Sequence, residues 1–394
     1  MGKTWDGWES PASFQRWCGA WAAECLRVLK PGGHLVAFGG TRTWHRLVCA
    51  IEDAGFEIRD TISWLYSSGF PKSLNVSKAI DKAAGAQRQV LAEGPAAKRM
   101  IPGADQNRTG SWIKDNGREF VPTVTAPATD DAHRWQGWGT ALKPGWEPIV
   151  VARKPLAGTV AGNVLAHGTG ALNIDGCRVA TSESTRRHNT APRFTGDGYA
   201  NGQQYAPDPW TSGSDAGRWP TNMVLSHPPL LDEAGRPVGD ACADGCVPGC
   251  PVAELDEQSG ATVSRAGKPR GAGSGNGWRM TATGTEYADA GGASRFFPAF
   301  RYEAKADASE RPRVNGKAHP TVKPLALMRW LVRLVTPAGG LVLDPFAGSG
   351  TTAEACLAEG FRCVAIERES DYLPLIRARL SKPIQGVLPL EMTQ

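Results

Sequence analysis

Apolar residues fall at helical spacing near both ends of the chain and lose that regularity in between. Phe14, Trp17, Cys18, Trp21, Cys25 and Leu29 mark one face of a helix. Ser10-Pro11 supplies an N-cap and a proline suited to the first turn, and Lys30-Pro31-Gly32-Gly33 stops the run. His34 to Phe38 is a short apolar stretch that predicts a buried strand. A second helix carries Trp44, Leu47, Val48 and Ile51 and ends at Gly55. Residues 56–66 predict another strand.

The same alternation returns late in the sequence. Pro324 opens a helix with Leu327, Met328, Leu331, Val332 and Val335, stopped by Thr336-Pro337-Ala338-Gly339-Gly340. A strand over 341–343, a helix over 351–359, a strand over 362–366 and a last helix over 371–380 follow. Helix and strand alternating at both ends predict an α/β fold with a parallel sheet. Between them, Gly, Ser, Thr, Pro and Asn are dense and periodicity fades. Pro148 to Ala152, Leu172 to Ile174 and Asn222 to Leu225 are apolar islands in that stretch. The division expected is a first half-fold over 1–72, a large irregular insertion over 73–310, and a second half-fold over 311–394.

Composition narrows the class only a little. A formal net charge of +5 is compatible with nucleic acid, and equally with a mildly basic enzyme of another kind. Nine scattered cysteines, an odd number, and a polar start without a leader-like segment point to a reducing cytoplasm. No apolar run is long enough for a membrane helix.

The densest chemistry lies at Asp344-Pro345-Phe346-Ala347-Gly348-Ser349-Gly350-Thr351-Thr352, between a strand and a helix. Two glycines let the backbone turn sharply and let a ligand come close. Glu367 stands at the tip of the next strand, where a carboxylate can accept hydrogen bonds from both hydroxyls of a ribose. These residues describe a nucleoside-binding unit. ATP in a P-loop would need a lysine after the glycines, and there is none. Gly348, Gly350 and Ala353 fit a loose dinucleotide fingerprint, but too little chain follows Glu367 to complete a dinucleotide fold. The remaining strands must come from the N-terminal segment, a circularly permuted order.

In that order the segment resembles the S-adenosylmethionine motif of the permuted (beta) class of DNA N6-adenine and N4-cytosine methyltransferases. Asn315 and His319-Pro320-Thr321-Val322-Lys323-Pro324 resemble the second cofactor motif of the same family. Arg27 to Gly33, Phe38-Gly39-Gly40-Thr41, Gly162-Asn163-Val164 and Gly170 to Asp175 are similar to phage-type members. The resemblance implies a Rossmann-like methyltransferase sheet assembled from N- and C-terminal segments, with a large irregular insertion. It implies S-adenosylmethionine as cofactor and double-stranded DNA as partner, in a restriction–modification or phage setting. Asp344, Phe346, Gly348, Gly350, Thr351 and Glu367 would line the cofactor, while His319, Thr321 and Lys323 would border its methionine end. Lys323 taken alone reads equally well as a solvated surface charge.

The family also uses an Asp/Asn/Ser-Pro-Pro-aromatic tetrapeptide, which accepts hydrogen bonds from the target amine and stacks on the flipped base. It lies shortly before a Gly-Lys-x-Trp-Asp segment, which here is Gly2-Lys3-Thr4-Trp5-Asp6. The sole Pro-Pro pair is His227-Pro228-Pro229-Leu230, which lacks both a suitable first residue and an aromatic. The expectation is an N-terminally truncated methyltransferase with no catalytic residue of its own to name. A partner chain supplying the segment and an inactive DNA- or cofactor-binding remnant are the rival readings, and an NAD-dependent dehydrogenase is the rival from another class. Resemblance favours adenine N6 over cytosine N4.

The insertion is where target recognition is expected. Arg134, Trp135, Trp138, Lys143 and Trp146 mix basic and aromatic residues as DNA contacts do, although tryptophan as core filler explains them equally. Arg186-Arg187-His188, Arg265, Lys268 and Arg270 could reach phosphates. Cys242, Cys246 and Cys250 are evenly spaced, with His227 upstream, and suit a structural zinc site. The other reading is three loop thiols.

Overall fold

Helix α1 spans Pro11–Val28, strand β1 His34–Phe38, helix α2 Trp44–Asp53 and strand β2 Glu57–Leu65. Each lies where the apolar spacing puts it. The computed structural model describes residues 8–66, 73–94, 97–98, 119–121, 123–179, 187–189, 210–212, 216–227, 229–231, 237–240, 242, 245–247, 250–263, 290–300, 312, 314, 319 and 321–381. The chain forms two compact units, residues 1–13 with 69–144, and residues 14–68 with 145–394.

The smaller unit is organised by capping and by one buried carboxylate. Helix α3, Val76–Ala83, begins where Asn75 accepts the Lys78 amide at 2.9 Å. Strands β3 (Val90–Glu93) and β4 (Thr123–Thr125) pair antiparallel. Helix α4, Asp130–Arg134, is capped by Thr129, whose hydroxyl accepts the Ala132 amide at 3.2 Å. Asp81 on α3 accepts hydrogen bonds from the Ala128 and Thr129 amides, both at 3.0 Å, and from the Thr129 hydroxyl at 2.8 Å. Arg88 pairs with the same carboxylate. A buried carboxylate persists only with such partners.

In the larger unit, β5 (Trp146–Arg153) runs antiparallel to both β1 and β2. Helix α5, Val160–His167, is capped by Thr159 and closed by Gly168 in the left-handed conformation. Its buried Asn163 donates to the carbonyls of Pro31 and Thr169 and accepts from the Ala157 amide, holding this turn to the start of β1. Strand β6 (Met223–Ser226) pairs parallel with β2. Helix α6 covers Pro251–Ser259, and the short strand β7 (Ala299–Phe300) pairs parallel with β6. The sheet order is β1-β5-β2-β6-β7. Residues read from sequence as part of an insertion therefore supply three strands of this sheet.

Strand β5 explains why Pro148 to Ala152 is apolar without alternation. Ile149 and Val151 pack on one face with Ile62, Trp64 and Val224, while Val150 and Ala152 pack on the other with Cys18, Leu47 and Ile51. A strand buried on both faces needs no polar side. Helices α1 and α2 cover one face. Helix α7, Leu325–Val335, covers the other through Leu327, Trp330, Leu331 and Leu334.

Strand β8 (Leu341–Asp344), helix α8 (Thr351–Ala358), strand β9 (Arg362–Ala365) and helix α9 (Leu373–Leu380) complete the unit. Strands β8 and β9 pair parallel. Among the described residues they form a ladder of their own, where the sequence leads one to expect a sheet continuous with β1. Helix α7 connects the two ladders. Its Val332, with Leu325 and Met328, packs against Ala355 and Cys356 of α8. Glu359 then accepts hydrogen bonds from Arg329 and Arg333 of α7 at 2.7 Å.

Candidate functional site

Parallel strands open a crevice at their carboxyl ends, where loops can receive a ligand. At the end of β8, the Asp344 carboxylate accepts the Phe346 amide at 3.0 Å and so turns the chain out of the strand. The backbone stays knitted to β9 through Ile366 N to Asp344 O (2.8 Å) and Ala347 N to Ile366 O (2.9 Å). Gly348 and Gly350 then adopt φ of 55° and 83°, a region that favours glycine. Thr351 follows as the first residue of α8 and is buried.

Glu367 links the tip of β9 to this loop. One carboxylate oxygen accepts the Gly348 amide at 2.7 Å and the other accepts the Glu369 amide at 2.8 Å. Each oxygen keeps a further lone pair for another donor. Beside it, Phe346 is 52% exposed, an unusual state for a large apolar ring at the head of a loop. Trp17 and Trp21 of α1 flank it, with ring centroids at 5.5 and 5.6 Å. An aromatic wall and a carboxylate with spare acceptor capacity suit a flat base and a ribose.

His319 closes another side of the loop. A Cβ added to Gly348 would come within 3.0 Å of His319 Nε2. The imidazole packs edge-on against Tyr372 at 4.5 Å, and its Nδ1 lies 2.8 Å from the Thr321 carbonyl oxygen and 3.2 Å from the Thr321 amide. A Cβ added to Gly350 would come within 3.1 Å of Ile376 Cγ2 on α9. Arg379, also on α9, has a fully buried side chain that donates to the Ser349 carbonyl at 2.9 Å and pairs with Glu354 of α8. Trp17 and Trp21 on α1 and Arg379 on α9 are supports that spacing alone does not reveal, because they reach the loop from other helices.

Lys323 is tied to the sheet. It forms an ion pair with Glu147 at the start of β5, and its ammonium sits 4.2 Å from the Phe38 ring and 5.5 Å from the Trp64 ring. The cage lies at the carboxyl ends of β1 and β2. Asn315 and Pro320 fall outside the described residues.

Elsewhere, Trp135 and Trp138 stack edge-on at 5.0 Å and are both exposed, with Arg134 and Lys143 exposed in the same unit. Trp146 is different, half-buried in β5 and packed on Trp44 at 6.4 Å. Arg186, Arg265, Lys268 and Arg270 lie outside the described residues, as do the side chains of Arg187 and His188. His227, Cys242, Cys246 and Cys250 converge, each offering one ligand atom within 4.8 Å of the others.

A family model for DNA methylases of the N6/N4 type matches residues 1–85 and 135–378. The type II methyltransferase M.HindIII of Haemophilus influenzae is 27% identical over 180 residues, 44% of this chain and 44% of that protein. The type II methyltransferase M.ScaI of Streptomyces caespitosus is 35% identical over 79 residues, 20% of this chain and 26% of that protein. The chain thus spans less than half the length of these curated relatives. The solved M1.HpyAVI–SAM complex is 14% identical with a TM-score of 0.36, over 92% of this chain and 82% of that one. PvuII DNA methyltransferase, cytosine-N4-specific, is 11% identical with a TM-score of 0.37, over 94% and 72%. The α/β architecture is the Rossmann-like one expected of such enzymes, and with the family model matched over most of its length the chain belongs to the N6/N4 family of DNA methylases.

Proposed function

We propose that this chain forms the cofactor-binding and DNA-reading part of an S-adenosylmethionine-dependent methyltransferase that acts on an exocyclic amine of double-stranded DNA. The observation that carries the reading is the loop from Asp344 to Thr351 with Glu367 fastened to the Gly348 amide. The residues fit the cofactor. Glu367 would hold the ribose hydroxyls, and Phe346 backed by Trp17 and Trp21 would hold the adenine. Gly348 leaves the space beside His319 that any side chain would fill. When bound, S-adenosylmethionine supplies a methyl group on a positive sulfonium, a good leaving group. The protein's task is then to fix distance and angle, which supplies most of the rate.

The target amine needs an acceptor, and the sequence holds no Asp/Asn/Ser-Pro-Pro-aromatic run. We infer that this acceptor reaches the site from outside these residues. Strand β1 ends its sheet and β8 pairs only with β9 among the described residues, so both edges offer unpaired backbone groups to an incoming strand. Adenine N6 is the favoured target, through the resemblance to phage-type members. Zinc is a separate proposal, for a structural ion rather than a reacting one.

Calorimetry with S-adenosylmethionine and with NAD, followed by a tritiated-methyl assay on DNA, tests the reading. Saturable S-adenosylmethionine binding, with transfer once the tetrapeptide segment is present, supports it. Binding without transfer in any such assembly would leave a cofactor-binding remnant. Binding of NAD alone would overturn the cofactor assignment. Mass spectrometry of nucleosides from the methylated DNA distinguishes N6-methyladenine from N4-methylcytosine.

A further inference from the structure

We propose that His227, Cys242, Cys246 and Cys250 bind one zinc ion in a closed structural site that fastens α6 to the end of the sheet. The four residues come from three separate places. His227 follows directly on β6, and its amide donates to the Phe300 carbonyl of β7 at 3.1 Å. Cys242 and Cys246 lie on the intervening chain, and Cys250 is the N-cap residue of α6. Chance contact between a histidine and one thiol is common. Convergence of all four ligand atoms within 4.8 Å is a much narrower condition.

The two His–Cys spacings within the cluster match a tetrahedral ion, and all four ligand atoms lie within 4.8 Å of one another, close enough to draw in around one. Zinc–ligand lengths of about 2.3 Å to sulfur and about 2.0 Å to nitrogen put ligands roughly 3.8 Å apart for sulfur–sulfur pairs and roughly 3.5 Å for sulfur–nitrogen pairs. His227 Nδ1 stands 3.4 Å from Cys250 Sγ and 3.8 Å from Cys246 Sγ, bracketing the second figure. Three sulfurs and one imidazole are a borderline-soft set with no carboxylate, which selects zinc over magnesium or calcium. Four protein ligands leave no open position for water or substrate, so the ion holds structure. A disulfide among these thiols would leave the third cysteine and the histidine unexplained.

The surroundings say what such an ion would do. Cys250 is fully buried, with Leu225, Val252, Leu65 and Phe297 around it, whereas Cys246 is exposed, which leaves a way in for the metal. The Cys250 side chain makes no capping hydrogen bond to α6, and an anionic thiolate there would lie at the positive end of the helix. From α6 the connection continues outward. Asp256 accepts the Ser294 amide at 2.7 Å and its hydroxyl at 2.6 Å, and Ser259 accepts the Ala293 amide at 2.9 Å. That segment leads into β7, so one ion would tie β6, α6 and β7 into a single piece.

The test uses the full chain, expressed without added chelator. Elemental analysis is expected to return one zinc per chain, released by a mercurial thiol reagent. Exchange with cobalt(II) under reducing conditions should give the visible bands of tetrahedral cobalt with thiolate charge transfer. Cys246→Ser, at the exposed ligand, should weaken cobalt binding by more than about 100-fold, beyond what loss of a mere supporting group costs. His227→Ala should shift the cobalt bands while keeping the thiolate charge transfer. Cys49→Ser, an exposed thiol outside the cluster, should change nothing. Circular dichroism of each variant checks that the fold survives. A folded wild-type chain that shows no tetrahedral cobalt spectrum at saturation, or a spectrum identical in Cys246→Ser and His227→Ala, overturns the proposal.

Discussion

Replacing Glu367 by glutamine tests whether this carboxylate organises the loop before any ligand arrives. The two oxygens have equivalent tasks, since one accepts the Gly348 amide at 2.7 Å and the other the Glu369 amide at 2.8 Å. Glutamine keeps the shape but has one acceptor oxygen and one NH2 donor. Whichever way it turns, one backbone N–H meets another donor. Leaving such a group unsatisfied costs about 1–3 kcal/mol, and the charge-assisted bonds of the carboxylate are lost as well. Taking about 2 kcal/mol for the loop alone, affinity for a ligand that needs the ordered loop falls roughly thirty-fold.

The consequence is unusual for an isosteric change: Glu367→Gln should bind S-adenosylmethionine no better than Glu367→Ala. In the alanine variant the two amides can turn to water, and nothing repels them. Calorimetry on the three proteins gives the answer, with thermal melts to confirm that β8 and β9 remain folded. A glutamine variant that binds within a factor of two of wild type would refute the reasoning. The carboxylate would then be a spectator to loop order, and the Gly348 contact would be incidental.

Other consequences follow from the same geometry. Gly348→Ala forces a left-handed backbone on a residue with a Cβ, costing about 1–2 kcal/mol, and sets that Cβ 3.0 Å from His319 Nε2; a lowered melting temperature and weaker S-adenosylmethionine binding are expected, and unchanged values in both would contradict the loop geometry. Burial by itself would raise the Glu359 carboxyl, but hydrogen bonds from Arg333 and Arg329 outweigh it and hold it below the usual carboxylate range. Its stabilising contribution is therefore complete above the unfolded value near 4.5 and is lost as pH falls through the folded one; melting curves against pH should be flatter at the acid end for Glu359→Gln than for wild type. If the exposed Trp135–Trp138 pair stacks on DNA, the double alanine variant should weaken DNA binding by about 1–3 kcal/mol per lost stack while leaving S-adenosylmethionine binding intact; an unchanged DNA dissociation constant in filter binding at fixed salt would remove the pair from the interface.

Much of the scaffold is legible in the sequence because its signals are local. Cap, apolar spacing and glycine stop all lie in α1 or within a few residues of it, and the strand His34–Phe38 is bounded by glycines on both sides. The glycine loop is legible for the same reason: two glycines and a strand-tip acid sit in one short stretch. Contacts between residues far apart leave no such mark. Lys323 reads as a loop lysine, and only the fold brings it to Glu147, 176 positions away. Arg379 reads as one of several basic residues on a terminal helix, although it is the group that holds the Ser349 carbonyl. Helices α5 and α6 are short and poor in apolar periodicity. The first rests on its Thr159 cap and the buried amide of Asn163, the second on the packing around Cys250. The His/Cys cluster is an intermediate case, since the even cysteine spacing is visible while its approach to His227 needs the turn between β6 and α6.

Helix α7 shows how the parts of the site are kept in register. Leu327, Trp330, Leu331 and Leu334 bury one side of it against β2, β5 and β6. Val332 on another side packs against Ala355 and Cys356 of α8, the helix that begins at the glycine loop. The segment just before it carries Thr321 and Lys323, and Lys323 is fixed to Glu147 at the carboxyl end of the sheet. A displacement of this one helix would therefore move the glycine loop, the His319 segment and the Lys323 cage relative to the sheet all at once. Interiors packed at crystal-like density resist such displacement. Methyl transfer depends on an in-line approach in which a misplacement of about 1 Å costs on the order of a hundredfold in rate. On the proposed function, a helix buried on two sides, and clamped to α8 by Glu359, would supply that rigidity without lending any group to the chemistry.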